Sequence, residues 1–199
     1  MTDNFTTREV AELANVPVRA VDKAIEEKVL TGIRGGGARG KRQMLPLHAV
    51  PYAAIVSKLS VTLSREAKRN LAKTLGGRPA SRMTSEPLDL EPSLTVDVPT
   101  LVGGDLAERA ARYGRAREDH IEENADIMGG TPVIRGTRMT VYSVLGRLDH
   151  GDSVEDILDE NPHLSQDAIE AAAHYARTHP LTGHPPIGYS RGRPWTKAA

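Results

Sequence analysis

Four of the six residues from Gly35 to Gly40 are glycine, and a helix does not survive such a run, because each glycine costs about 1 kcal/mol against alanine. The run joins two strand-like stretches, Val29 to Arg34 and Lys41 to Leu45, so it predicts a hairpin. Two short helices are predicted before it. Thr6 or Thr7 caps the first, which runs to about Ala14 with Val10, Leu13 and Ala14 on one face. Asn15-Val16-Pro17 makes the turn, and proline there stops one helix and opens the next. The second helix, from Val18 to about Lys28, buries Val18, Val21, Ala24 and Ile25. Helix, tight turn, helix and basic hairpin is the order of a winged helix-turn-helix, with the hairpin as the wing.

Charge sharpens that reading. The 199 residues hold 26 Lys+Arg and 26 Asp+Glu, and this neutrality first argues against a nucleic-acid partner. Resolved by segment, Met1 to Ser85 carries a net +8, Glu86 to Ser190 a net −11, and the last nine residues +3. A basic half is a candidate for phosphate contact and an acidic half is not. Arg19 and Lys23 lie one turn apart near the start of the second helix, where a recognition helix meets base edges. Arg34, Arg39, Lys41 and Arg42 flank the wing glycines and are expected to meet phosphates or the minor groove of double-stranded DNA. The same glycines match the spacing of a phosphate-binding loop as far as Lys41. Arg42 then stands where that loop needs Ser or Thr, and a strand follows instead of a helix, so nucleotide binding is disfavoured.

Beyond the wing, a helical stretch from about Val50 to Leu75 breaks near Leu63-Ser64, with Ser64 capping the second piece. Residues 1–76 are thus read as a winged helix-turn-helix with following helices. Residues 77–104 read as a proline-interrupted linker with one possible strand at Leu94 to Val98. Residues 105–180 form the second unit. It starts with a helix to about Arg117 and continues with strands His120 to Glu123 and Pro132 to Ile134. A Gly136-Thr137-Arg138 corner follows, then three helices, two of them capped by Ser153 and Ser165. Its middle helix carries Glu155, Asp156, Asp159 and Glu160, which would repel phosphate, so this unit reads as a protein-protein module. Residues 181–199 read as an extended basic tail with Arg191, Arg193 and Trp195. The expected fold is mainly α with short β elements: the winged unit plus a small C-terminal β-hairpin and three-helix, helix-turn-helix-like domain.

No catalytic centre is expected. The chain has no cysteine, which removes disulfides, thiolate catalysis and Cys-ligated zinc and fits a cytoplasmic location. Its seven histidines form no ligand pair at metal-binding spacing, and no nucleophile elbow or carboxylate pair stands out, so neither a metal nor a cofactor is expected. The longest apolar run, Ala49 to Val56, is too short to span a bilayer, and the first residues do not read as a signal peptide.

The run Gly129-Gly130-Thr131-Pro132-Val133-Ile134-Arg135-Gly136-Thr137-Arg138 resembles, with Gly151 to Leu158, Asn161 to Ser165 and Ala172 to Ala176, a small bacterial domain common in VapB-type antitoxins. The resemblance covers about Ile121 to Pro180. The N-terminal unit looks like a MerR-type winged helix, although the long coiled coil and effector domain of such regulators are not evident. Together these likenesses imply a homodimeric antitoxin that represses its own operator and neutralises a PIN-like ribonuclease toxin. In that picture Arg191 or Arg193 pairs with the nuclease carboxylates and Trp195 anchors the tail. Gly130, Arg135, Gly136, Thr137 and Arg138 hold the small domain together or form its dimer contact. A stand-alone MerR-like regulator with a C-terminal dimerisation or sensing domain is the alternative.

Overall fold

The computed structural model describes residues 4–37, 40–91 and 94–181. Arg39, Arg191, Arg193 and Trp195 lie outside the described residues. The chain is mainly helical with short antiparallel strand pairs, as expected.

Strand β1 (Asn4–Thr6) leads directly into helix α1 (Thr7–Ala14). Thr6 is the cap. Its Oγ1 accepts from Glu9 N at 3.2 Å, while Glu9 Oε2 accepts from Thr6 N at 2.7 Å, a reciprocal capping box. Asn15 ends α1 in the left-handed conformation (φ 52°), and Val16 N donates back to Ala11 O at 2.9 Å. Pro17 then caps helix α2 (Val18–Glu26), which buries Val21 and Ala24 against α1 and half-buries Ile25. Val18 differs from expectation: at the first position of α2 it is 40% exposed, since among the described residues no element covers it.

Strands β2 (Ile33–Gly37) and β3 (Gly40–Pro46) form the hairpin, and β1 adds to it in the order β1-β3-β2. Phe5 pairs with Leu45 across β1 and β3, and both are fully buried, which ties the sheet to the helices. Gly32 is required before β2, since a Cβ there would lie 2.6 Å from the Met44 carbonyl oxygen.

Helix α3 (Ala49–Lys58) is buried along nearly its whole first half, and α4 (Arg65–Gly76) starts at Ser64, whose Oγ accepts from Ala67 N at 3.0 Å. Residues 77–104, read from sequence as a linker, fold as α5 (Ala80–Met83), the pair β4 (Leu88–Glu91) and β5 (Leu94–Val96), and α6 (Val98–Val102). Met83, Leu88, Leu90, Val96, Val98 and Val102 join the same core as α1 to α4. The prolines punctuate this segment instead of loosening it: Pro79 caps α5 and Pro99 sits in the first turn of α6.

Helix α7 (Leu106–His120) closes this core with Leu106, Ala107, Ala110 and Tyr113. It then runs on into β6 (Ile121–Glu122), which pairs with β7 (Val133–Ile134). Helices α8 (Val141–Asp149), α9 (Val154–Glu160) and α10 (Gln166–Thr178) enclose a second core around Ile134, Val141, Val144, Ile157, Ile169 and Ala172. Their caps are Thr140, Ser153 and Ser165, each accepting a bond from the third helical residue. Helix α10 packs on α7 and α1 as well as on α8, so the two cores share a boundary. Among the described residues, no helix is long and apolar enough to cross a membrane.

Candidate nucleic-acid interface

Helix α2 presents Arg19 and Lys23 to solvent. Asp22 and Glu26 share that exposed side, so the helix alone is not strongly basic. Its N-terminus has no side-chain cap, since Pro17 has no side-chain acceptor. The hairpin follows at once. Gly35 is in register with Arg42 and Gly36 with Lys41, while Arg34 pairs with Gln43. The glycines therefore oppose the cationic positions across the ladder, and the backbone of one strand is left bare of side chains beside each.

Two cations that sequence reasoning missed support this face. Lys68 Nζ pairs with Glu27 Oε2 at 2.8 Å, and Arg65 Nη2 donates to Glu27 O at 2.9 Å. The bond from Lys68 holds the Glu27 carboxyl below its ordinary range. These contacts fix α4 against the end of α2 and offset an acidic residue there. Their basic spacing on α4 was visible, but the partner lies some forty residues away in the chain.

Behind α2, helix α1 is held by a buried ion pair. Glu9 is 0% exposed, and its Oε1 accepts from Arg117 Nη1 and from Tyr113 OH, each at 2.8 Å. Arg117 Nη2 also donates to Asn4 O at 2.9 Å, and its guanidinium lies over the Phe5 ring. Burial alone would raise the Glu9 carboxyl, but Arg117 and the Thr6 N–H outweigh it and hold Glu9 below its ordinary value. Burial and the neighbouring Glu9 carboxylate push the Tyr113 phenol well up. The helix that leads into the second unit is thereby locked to the first helix of the turn.

The glycine-rich corner is a separate structural device. Arg135 N donates to His120 O at 2.7 Å, Arg135 Nε to Asp119 O at 2.8 Å, and Nη2 to Glu118 O at 3.0 Å. The side chain thus caps the end of α7. Gly136 turns the chain at φ 75°, a conformation that L side chains rarely adopt, and Gly130 sits at φ 81°. Thr137 staples the turn: it donates to Ile134 O at 2.8 Å and accepts from Met139 N at 3.0 Å. Arg138 stays exposed, and its Nη2 donates to the Met128 sulfur at 3.8 Å. Replacing Arg135 by alanine is expected to cost ~1–2 kcal/mol in urea denaturation, with lysine recovering only part of it. A variant as stable as the parent removes Arg135 from the helix end.

The acidic residues Glu155, Asp156, Asp159 and Glu160 of α9 are all exposed, opposite in sign to the α2 and α4 cations. The fold therefore defines a helix-turn-helix with a hairpin wing, joined to a small three-helix unit of acidic surface.

Residues 121–176 match a family described as "Protein of unknown function (DUF433)". Uncharacterized protein y4eO of Sinorhizobium fredii is 41% identical over 90 residues, which is 45% of this chain and 40% of that protein. Two proteins of Nitratidesulfovibrio vulgaris named translation initiation factor IF-2 are 29% and 28% identical over 137 residues, 63% of this chain and 12% of each of theirs. The chain thus spans less than half the length of these relatives. No solved structure matches.

Proposed function

We propose that this chain is a cytoplasmic, VapB-type antitoxin: a homodimer whose MerR-like winged helix binds its own operator as a repressor and whose C-terminal part neutralises a PIN-like ribonuclease. The observation that carries the DNA half is the outward placement of Arg19 and Lys23 on α2, followed by a hairpin that sets Gly35 and Gly36 against Arg42 and Lys41. The antitoxin half is supported by the motif at residues 129–138 and by the basic tail after an acidic unit. Metal-dependent ribonucleases of that kind hold their metal with clustered carboxylates. A guanidinium from Arg191 or Arg193 would pair with those carboxylates, with Trp195 as an apolar anchor. The exposed Arg138, beside Met128, is available for the dimer contact.

The test is co-expression with the neighbouring gene product, scoring growth and co-purification. Truncation after Ser190 is expected to abolish most of the growth rescue while leaving operator affinity unchanged. Full rescue by the truncated chain would remove the tail from the toxin contact. One observation favours the second reading, a stand-alone regulator with a sensing unit: a cleft lies where α10 meets α1.

A further inference from the structure

Helix α3 packs on both α2 and α4, but the joint between α2 and α3 is not filled. Ala20 and Ala24 of α2 stand there with Ala53 and Val56 of α3, and the three alanines are too small to close the gap. A cleft of about 140 Å³ is left, below the size range of drug-sized ligands. It has the volume of roughly four or five waters, which sets its occupant at about five or six non-hydrogen atoms.

The polar lining centres on Tyr52 of α3. Its side chain is only 2% exposed, yet its hydroxyl makes no hydrogen bond among the described residues, and the cleft reaches it. A buried tyrosine hydroxyl usually finds a partner, and leaving one without is costly. Burial, and then the Glu27 carboxylate, push the phenol up to about 12, so at neutral pH it keeps its proton and has it to donate.

The charges around Tyr52 leave one cation over. Lys68 Nζ and Glu27 Oε2 line the cleft as a pair at 2.8 Å and cancel each other. Lys23 lines it too, one turn before Glu27 on α2, and no ion pair among the described residues takes it up. Ser57 adds an exposed hydroxyl from α3. Donors thus outnumber acceptors, with a single net positive charge beside an aliphatic wall. The Glu27 carboxylate disfavours a dianion such as inorganic phosphate, and the alanines favour an alkyl group.

We propose that this cleft binds a short-chain carboxylate, its oxygens taken by the Tyr52 hydroxyl and the Lys23 ammonium and its alkyl group against Ala20, Ala24, Ala53 and Val56. The hydroxyl thereby gains the partner that the fold withholds, and the ammonium makes a charge-assisted bond. Lys23 is also one of the cations that α2 offers to DNA. A bound carboxylate draws it into the cleft, so occupancy weakens operator binding. That consequence rests on the DNA-binding reading, whereas carboxylate binding does not.

The experiment is an amide NMR titration of the isotope-labelled full chain with butyrate, alongside butylammonium, inorganic phosphate and sodium chloride at matched ionic strength. Saturable shifts are expected for butyrate alone, half-complete at or below about 10 mM. Tyr52→Phe and Lys23→Gln should each weaken binding about fivefold or more. Without ligand, Tyr52→Phe should unfold thermally at or above the parent's temperature, since the hydroxyl it removes has no partner in the fold. No saturation with butyrate, or an equal response to butylammonium or phosphate, would overturn the proposal. So would unchanged affinity in Tyr52→Phe, or a clearly lower unfolding temperature in that variant. A parallel DNA titration with and without butyrate reads the coupling, and operator affinity should fall severalfold in the parent but not in Tyr52→Phe. Equal DNA affinity with and without butyrate would overturn the coupling. If the chain binds no DNA while butyrate still binds, the DNA reading falls and the carboxylate site stands.

Discussion

Replacing Glu9 by alanine is expected to destabilise the chain by ~3–5 kcal/mol, because removing one partner of a buried pair leaves the other charge uncompensated. The stranded group is Arg117, whose side chain is only 14% exposed. The same carboxylate also accepts from Tyr113 OH and completes the Thr6 capping box, so three sets of contacts are lost together. Urea denaturation measures the effect without screening the pair. Tyr113→Phe removes one neutral donor and is expected to cost only ~1 kcal/mol. The pH dependence carries a sign. The Glu9 carboxyl is held below its ordinary value of 4.5, so its contribution is fully present above that value and is lost as pH falls through the lowered one. The parent should therefore lose stability in acid faster than Glu9→Gln. Glu9→Ala as stable as the parent would show that the pair does not hold α1 to α7.

The double variant Arg19→Ala with Lys23→Ala is expected to weaken operator binding roughly a hundredfold or more, since each good base contact contributes ~1–3 kcal/mol. Both side chains are exposed, so the fold should be unaffected. Neutralising Arg39, Lys41 and Arg42 addresses the wing separately. Each lost phosphate contact should reduce the salt slope of log affinity by about 0.9, which makes a flatter slope the signature of the wing variant. Loss of sequence preference is instead the signature of the α2 variant. An unchanged slope would remove the wing from the interface, and unchanged affinity would remove α2.

Helix starts were legible in the sequence because capping is local. Thr6, Ser64, Ser153 and Ser165 each sit immediately before an apolar periodic run, and each caps a helix. The hairpin was legible for the same reason, through its glycines. Val18 was misplaced because periodicity marks a face of the helix without saying how far the neighbouring helix extends. The stretch 77–104 was read as a linker because its prolines look like breaks. What orders it is the burial of Leu88, Leu90, Val96 and Val98 in the core shared with α1 to α4, which no local pattern reveals. Glu9 and Arg117 are 108 residues apart, and nothing near either announces the other. Arg135 was recognisable as part of a motif, but its carbonyl partners at the end of α7 were not. The outward cations Arg19 and Lys23 were found from helical spacing alone, while Lys68 and Arg65 needed the packing of α4 on α2.

DNA recognition by the N-terminal unit is tested most directly by fluorescence anisotropy, titrating the full chain into a labelled duplex from upstream of its own reading frame at several salt concentrations. Saturable binding is expected, protecting two half-sites about 10 bp apart or a multiple of that, tighter than for an unrelated duplex and weakening steeply with salt. Binding that is absent at low salt, or equal for both duplexes at every salt concentration, would contradict it.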